Sequence, residues 1–269
     1  MSLHELGADC ETLQVRAGDR FDHVVTVAFD RPDARNALNA QLRTELKTVF
    51  EAVPDSDTRV VVLTGAEGTG AFVAGADVTE LRERDGLEQR AASKRPRVYE
   101  VVDGCPVPVV ARVNGHALGG GCELVQACDV RIAHERAKLG QPEINLGIMP
   151  GGGGTQRLPR LVGEGQAMRL ILSGELIDAT EAADIGLVEE VHDDETFDDR
   201  VYGLAESMAA QSPVALEFAK QSIQAASRMD LDAGIEYEAE LFAQLFTTGD
   251  KNEGIDAFLE EREPEWEEQ

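Results

Sequence analysis

Pro108-Val109-Val110-Ala111-Arg112-Val113-Asn114-Gly115-His116-Ala117-Leu118-Gly119-Gly120-Gly121-Cys122-Glu123-Leu124 is the stretch on which the fold turns. Its first six residues read as a strand, Asn114-Gly115 as a turn, and Leu118 to Ala127 as a helix entered through three glycines. The same rhythm precedes it. Val60-Val61-Val62-Leu63 is a continuous apolar run ended by Thr64-Gly65, the pattern of a strand buried on both faces. It leads into a small-residue loop, Gly68 to Gly75, and a charged helical stretch from Asp77. Val130 to Ala133 follows as a further short strand. Strands alternating with helices, each unit closing on glycine, predict an α/β fold with a largely parallel sheet.

Upstream, Thr12–Arg16 and His23–Phe29 alternate around Ala17-Gly18-Asp19-Arg20, which predicts a hairpin. After the break at Arg31-Pro32-Asp33, Asn39 is placed to cap a helix with an apolar face of Leu42, Leu46, Val49, Phe50 and Val53. Past Gly154 the pattern is mainly helical: Gly163–Leu172, Thr180–Ile185, Phe197–Ala210, Pro213–Ala226 and Asp232–Phe246. On the last of these, Ile235, Ala239, Phe242 and Phe246 share one face. The acidic tail from Glu260 is expected to be solvated.

The chain has 269 residues with 42% apolar side chains, enough for one substantial domain and a smaller appended piece. No apolar stretch reaches the roughly 18–20 residues needed to cross a bilayer. Met1 to Asp9 lacks the apolar segment of a signal peptide, so a cytoplasmic location is expected. Acidic residues number 51 and basic ones 25, a formal net charge of −26. Such a surface repels nucleic acid and anionic membranes, and neither is expected as a partner. Lysine is confined to Lys47, Lys94, Lys138, Lys220 and Lys251. An acid-rich, lysine-poor surface over an ordinary core fits a protein kept soluble in concentrated salt, where the screening length is only ~3 Å. Cys10, Cys105, Cys122 and Cys128 have no paired spacing and are expected as small hydrophobes. The five histidines form no ligand pattern, so no metal site is expected.

Three segments place glycines and carboxylates where packing alone would not ask for them: Ala71 to Asp77, Asn114 to Leu124, and Gly140 to Gly147 with Pro150 to Arg157. Three glycines at a helix start cost about 1 kcal/mol each relative to alanine unless the backbone must be approached closely. Any one segment alone is more often a plain turn or a carboxylate at a helix end. No Gly-Lys-Ser/Thr follows the glycine clusters, which argues against a phosphate loop. His116, beside the glycines, is expected to pack or face solvent rather than act as a base.

Taken together the segments resemble the enoyl-CoA hydratase/isomerase (crotonase) superfamily, from about Thr12 to Trp266. The likeness runs through Arg31-Pro32, Asn36-Ala37-Leu38-Asn39, Ala74-Gly75-Ala76-Asp77, Asn114 to Glu123, Gln141-Pro142-Glu143, Pro150-Gly151, Gly154-Thr155-Gln156-Arg157 and Glu253 to Phe258. It implies a crotonase-like spiral of ββα units over residues 1–187, holding acyl-CoA binding and catalysis. Residues 188–269 would form a C-terminal helical region used for trimerisation and for part of the coenzyme A cleft. It further implies a trimer or dimer of trimers, an acyl-CoA thioester as substrate, and no separate cofactor, coenzyme A being part of the substrate.

By the same resemblance the amides of Ala76 and Gly120 form an oxyanion hole, and Glu123 and Glu143 carry the acid–base chemistry. Glu143 is expected as the chief acid/base, with Glu123 holding the water. Ala74, Asp77, Val78, Thr79, Pro150 and Gly151 are expected to bind substrate, Gly151 by lending its amide to orient the site. Retention of both glutamates favours hydration of a 2-enoyl-CoA. The alternatives are an isomerase or a lyase acting on a branched or functionalised acyl-CoA, and a catalytically silent RNA-binding or scaffolding relative.

Overall fold

The computed structural model describes residues 3–18 and 20–266. A six-stranded sheet forms its centre. Strands β1 (Leu13–Ala17) and β2 (Val24–Phe29) are the expected antiparallel hairpin, although Asp19 of its turn lies outside the described residues. Strands β3 (Val60–Gly65), β5 (Val109–Val113), β7 (Val130–His134) and β10 (Glu190–His192) then add in parallel, in the order β1-β2-β3-β5-β7-β10. Every residue of β2, β3 and β5 is buried, and successive side chains enter two different cores. Val61, Leu63, Val109 and Ala111 face one side; Val60, Val62 and Val110 face the other.

A second sheet, β4-β6-β8-β9, lies across the first core: β4 is Ala71–Val73, β6 His116–Leu118, β8 Lys138–Gly140 and β9 Leu176–Asp178. The chain crosses three times from the large sheet to the small one, after β3, after β5 and after β7. Asn114 ties the first two crossings together, its side chain accepting from the Gly65 amide at 3.2 Å and donating to the Gly65 carbonyl at 2.8 Å. These three-residue strands correct the sequence expectation. Gly68–Gly75 is not all loop, and Leu118 ends β6, so helix α6 begins at Gly120 and ends at Val125. The turn is made by Gly119, whose φ of 50° lies in the left-handed region that glycine enters freely.

The helices fill the spaces between and around the sheets. Helix α1 (Leu3–Ala8) abuts β1. Helix α2 (Ala40–Ala52) buries Leu42, Leu46, Val49 and Phe50, and the Asn39 side chain caps it by accepting from the Leu42 amide at 2.9 Å. Helices α3 (Val78–Glu83) and α4 (Gly86–Ala92) contribute no buried residue, whereas α5 (Val98–Asp103) buries Val98, Tyr99 and Val102. Beyond α6 come α7 (Gly154–Val162), α8 (Glu164–Ser173) and α9 (Ala179–Asp184).

The sheet continues past the boundary expected at Leu187. Strand β10 extends it, and α10 (Phe197–Ala209) covers its second face with Phe197, Val201, Tyr202 and Ala205. Helices α11 (Pro213–Ala225), α12 (Leu231–Leu245) and α13 (Gly249–Glu260) follow, α11 and α12 packing on each other. Past α13 the acidic tail is mostly exposed as far as Trp266, whose indole N–H returns to the Ala210 carbonyl at 2.8 Å. All four cysteines are free; Cys105, Cys122 and Cys128 are buried and Cys10 is half-buried. Among the described residues no helix is long and apolar enough to cross a membrane.

Candidate active site

The parallel pairing of β4 with β6 sets their two outgoing loops side by side. Asn36 holds the segment before α2 against this sheet, its amide N–H group donating to the carbonyls of Ala71 at 2.9 Å and Phe72 at 3.1 Å. Leu38 then bridges the β4 loop: its amide donates to Gly75 and its carbonyl accepts from Asp77. Strand-like alternation turns the intervening Ala76 amide the opposite way, into a cleft. Gly120 starts α6 across that gap. A Cβ built on it would lie 3.8 Å from the Ala76 nitrogen. Gly121, next in line, packs so closely under Val73 that its Cβ would fall 2.0 Å from the Val73 carbonyl oxygen. The glycine run is thus explained by backbone contact on one side and an open approach on the other.

Glu123 lies one turn along α6, on the same face as Gly120. It is 2% exposed, and one carboxylate oxygen accepts from the amides of Gly152 at 2.6 Å and Gly154 at 2.8 Å. Burial pushes this carboxyl up. The two amides, with the nearby charges of Arg97 and Arg157, offset this only in part by stabilising the anion, so its pKa stays above the ordinary carboxylate value. Glu143 stands in the 3-10 turn Pro142–Leu146 that follows β8, and a Cβ on Gly119 would be 3.0 Å from its Oε1. Burial and, to a lesser degree, the charge of Glu123 raise its pKa to about 7. Gln141, fully buried, donates its amide to both oxygens of Glu143 at 3.1 and 3.2 Å and accepts from Gln126 at 2.9 Å.

The cleft between these elements encloses about 930 Å³. Its walls include Ala74, Ala76, Val78, Gly120, Glu123, Glu143 and Gly151, so the structure brings most of the sequence-derived candidates together. Three others do not line it. Asp77 caps α3 by accepting from the Thr79 amide and hydroxyl and pairs with Arg31 at 3.3 Å, which occupies both its side chain and that of Thr79. Pro150 is buried beneath Gly154, whose Cβ would sit 3.0 Å from that of the proline. The expectation for the Gly151 amide is also corrected. Gly151 presents its carbonyl to Arg97, and the amides aimed at Glu123 are those of Gly152 and Gly154. The turn through Gly153, with φ of 116°, folds both amides onto one oxygen. His116 is half-buried; its Nδ1 has no hydrogen-bond partner, and burial holds its pKa down.

Sequence reasoning missed Tyr99 and Arg97, which line the cleft from α5 and its N-terminus. Neither belongs to a recognisable motif, and the short α5 leaves no readable period. It also assigned no role to Gln141, Gly152 or Gly154, although all three lie inside the quoted segments. Among the described residues no group of three or more acidic, histidine or cysteine side chains is gathered as for a metal ion.

Residues 19–269 match the family model described as Enoyl-CoA hydratase/isomerase. The chain is similar to the short-chain-enoyl-CoA hydratase of Clostridium acetobutylicum, 42% identical over 244 residues, covering 90% of this chain and 93% of that protein. It is similarly close to the 2,3-dehydroadipyl-CoA hydratase of Escherichia coli, 43% identical over 248 residues, covering 92% and 96%. Among solved structures, the enoyl-CoA hydratase from Bacillus anthracis superposes with a TM-score of 0.91 at 40% identity, covering 96% of this chain and all of that one.

Proposed function

The chain belongs to the enoyl-CoA hydratase/isomerase family, and from that premise we propose that it is a hydro-lyase adding water reversibly to a 2-enoyl-CoA to give the 3-hydroxyacyl-CoA. One observation carries this reading: two carboxylates, the buried Glu123 and the half-buried Glu143, line a single cleft together with Ala76 and Gly120. Hydration needs proton traffic at two carbons, and the two carboxyl groups have been driven to different roles by their surroundings. Glu123, whose anion two amides stabilise against its burial, takes the proton of the attacking water. Glu143, its pKa raised to about 7, delivers a proton to the α-carbon. The thioester oxygen, where negative charge gathers in between, is met by backbone donors that need no reorganisation.

Coenzyme A enters as part of the substrate, and the chemistry calls for no metal or prosthetic group. The relatives named as short-chain-enoyl-CoA and 2,3-dehydroadipyl-CoA hydratases support the hydratase reading over an isomerase, for which one carboxylate suffices. The assembly proposed is a trimer or dimer of trimers, with the C-terminal helices at the contacts and beside the coenzyme A cleft. The acid-rich, lysine-poor composition supports adaptation to salt, and a cytoplasmic setting belongs to the same proposal. The test is loss of enoyl absorbance with crotonyl-CoA and with longer, branched and carboxylated enoyl-CoA thioesters. Hydration of at least one of them is expected; double-bond migration without hydration in all of them would replace this reading with the isomerase.

A further inference from the structure

Tyr99 is buried on α5, 8% exposed, and among the described residues is the only tyrosine on the walls of the cleft. Its ring lies flush against the glycine turn that holds Glu123: a Cβ on Gly152 would come within 2.4 Å of the ring atoms Cε2 and Cζ. Its hydroxyl reaches further in. A Cβ on Gly120 would stand 3.0 Å from the Tyr99 oxygen and 3.8 Å from the Ala76 amide nitrogen, so the phenol, that amide and the start of α6 converge on one small space. Among the described residues nothing pairs with this hydroxyl, although buried phenols ordinarily find a partner. Of the neighbouring carboxylates, Glu123 accepts through Oε1 from the amides of Gly152 and Gly154 and Glu143 is met by the amide of Gln141; among the described residues no hydrogen bond joins either to the Tyr99 hydroxyl. Burial and the charge of Glu123 push the phenol pKa upward, which keeps it a proton donor.

We propose that Tyr99 is a catalytic residue whose O–H donates to the thioester oxygen, as a third member of the oxyanion site beside the Ala76 and Gly120 amides. The proposal rests on the acyl-CoA reading of the cleft. As the water oxygen bonds to the β-carbon and its proton passes to Glu123, the double-bond electron pair shifts toward the carbonyl and charge builds on the thioester oxygen. The phenol shares that charge while keeping its proton. When the carbonyl re-forms, the α-carbon takes its proton from Glu143, and Tyr99 ends as it began. A backbone amide is fixed by the fold, whereas the phenol hydrogen rotates and follows the oxygen as its geometry changes.

Tyr99→Phe keeps the ring against Gly152 and removes only the hydroxyl. Removing one of two donors costs about 10²–10³ in kcat in well-studied oxyanion sites; with two amides remaining here, a fall of about 10–100-fold in kcat is expected, with KM for crotonyl-CoA changed less than about threefold. The second readout is the infrared carbonyl stretch of bound butanoyl-CoA, a saturated thioester that cannot react. It should lie lower in the wild type than in Tyr99→Phe, because a lost donor leaves the carbonyl less polarised. A variant with kcat within about twofold of wild type overturns the proposal. So does a reduced kcat with an unchanged carbonyl stretch, which would move the hydroxyl's action to the glutamates. If the wild type hydrates no enoyl-CoA, the hydratase reading fails on its own, and the carbonyl stretch still decides whether Tyr99 faces the thioester.

Discussion

At the scale of single residues, Glu123 and Glu143 form a coupled pair rather than two independent acids. Hydration starts with Glu143 protonated and Glu123 ionised, and ends with the proton on the other member. Forward and reverse reactions therefore use the same singly protonated pair, and their kcat/KM profiles must share one pH dependence. With Glu143 at about 7, the pair loses its last proton as the pH rises through that region. Activity in both directions should fall together on that limb. A flat profile from neutral to alkaline pH, measured with crotonyl-CoA and 3-hydroxybutanoyl-CoA, would sink the assignment. Glu123→Gln and Glu143→Gln should each lower the hydration rate by about 10²–10⁴-fold with the fold retained. Near wild-type turnover in either variant would remove that residue from the mechanism.

At the scale of elements, the site is an outcome of how α6 meets the small sheet. Gly120→Val places a β-branched side chain where Leu38 Cδ1 and the Tyr99 hydroxyl each stand 3.0 Å from the new Cβ, and over the opening to the Ala76 amide. Loss of activity should exceed loss of stability; an active Gly120→Val enzyme with normal acyl-CoA binding would refute the amide assignment. The opposite balance is expected on α2. Leu46 is fully buried in the main core but does not line the cleft. Leu46→Ala should cost about 2–5 kcal/mol in urea unfolding while leaving kcat near wild type at a temperature where the variant stays folded. A fall in kcat without a fall in stability would mean that α2 positions the catalytic loop more directly than its packing shows.

At the scale of the whole molecule, net charge and apolar surface pull in different directions. The chain carries −26, yet Ile235 and Phe242 on α12 and Phe246 at its C-cap remain 54%, 61% and 57% exposed in the single chain. Phe242 and Phe246 form a T-shaped pair with centroids 5.2 Å apart, a ready apolar surface for another subunit. Assembling such chains brings like charges together. At ~0.1 M salt the screening length is about 10 Å and repulsion loosens the contacts; at molar salt it shrinks to about 3 Å and apolar burial prevails. Activity and apparent mass should therefore rise together as potassium chloride increases from dilute buffer to molar concentration. Light scattering run beside the crotonyl-CoA assay checks this, and a fully active, salt-independent monomer would overturn both the oligomer and the salt-adaptation proposals.

Much of this was legible without coordinates, because some signals are local. The apolar runs at Val60–Leu63 and Val109–Ala111 require a sheet covered on both faces, and the Asn39 cap with its apolar face requires α2. The glycines before Glu123 mark close backbone approach, and the order of the segments identifies the family. What the tertiary structure alone decided is which groups face one another. Strands of three residues such as β4 and β6 are too short to show a period, so their pairing, which aligns the Ala76 and Gly120 loops, emerges only once the chain crosses between sheets. Gly152 and Gly154, rather than Gly151, reach Glu123 because the left-handed turn at Gly153 sets the direction of both amides. Tyr99 enters the cleft from a six-residue helix with no motif of its own. Pattern along a chain reports burial and period; which amide, carboxylate or phenol shares a space with another depends on contacts between residues far apart in sequence.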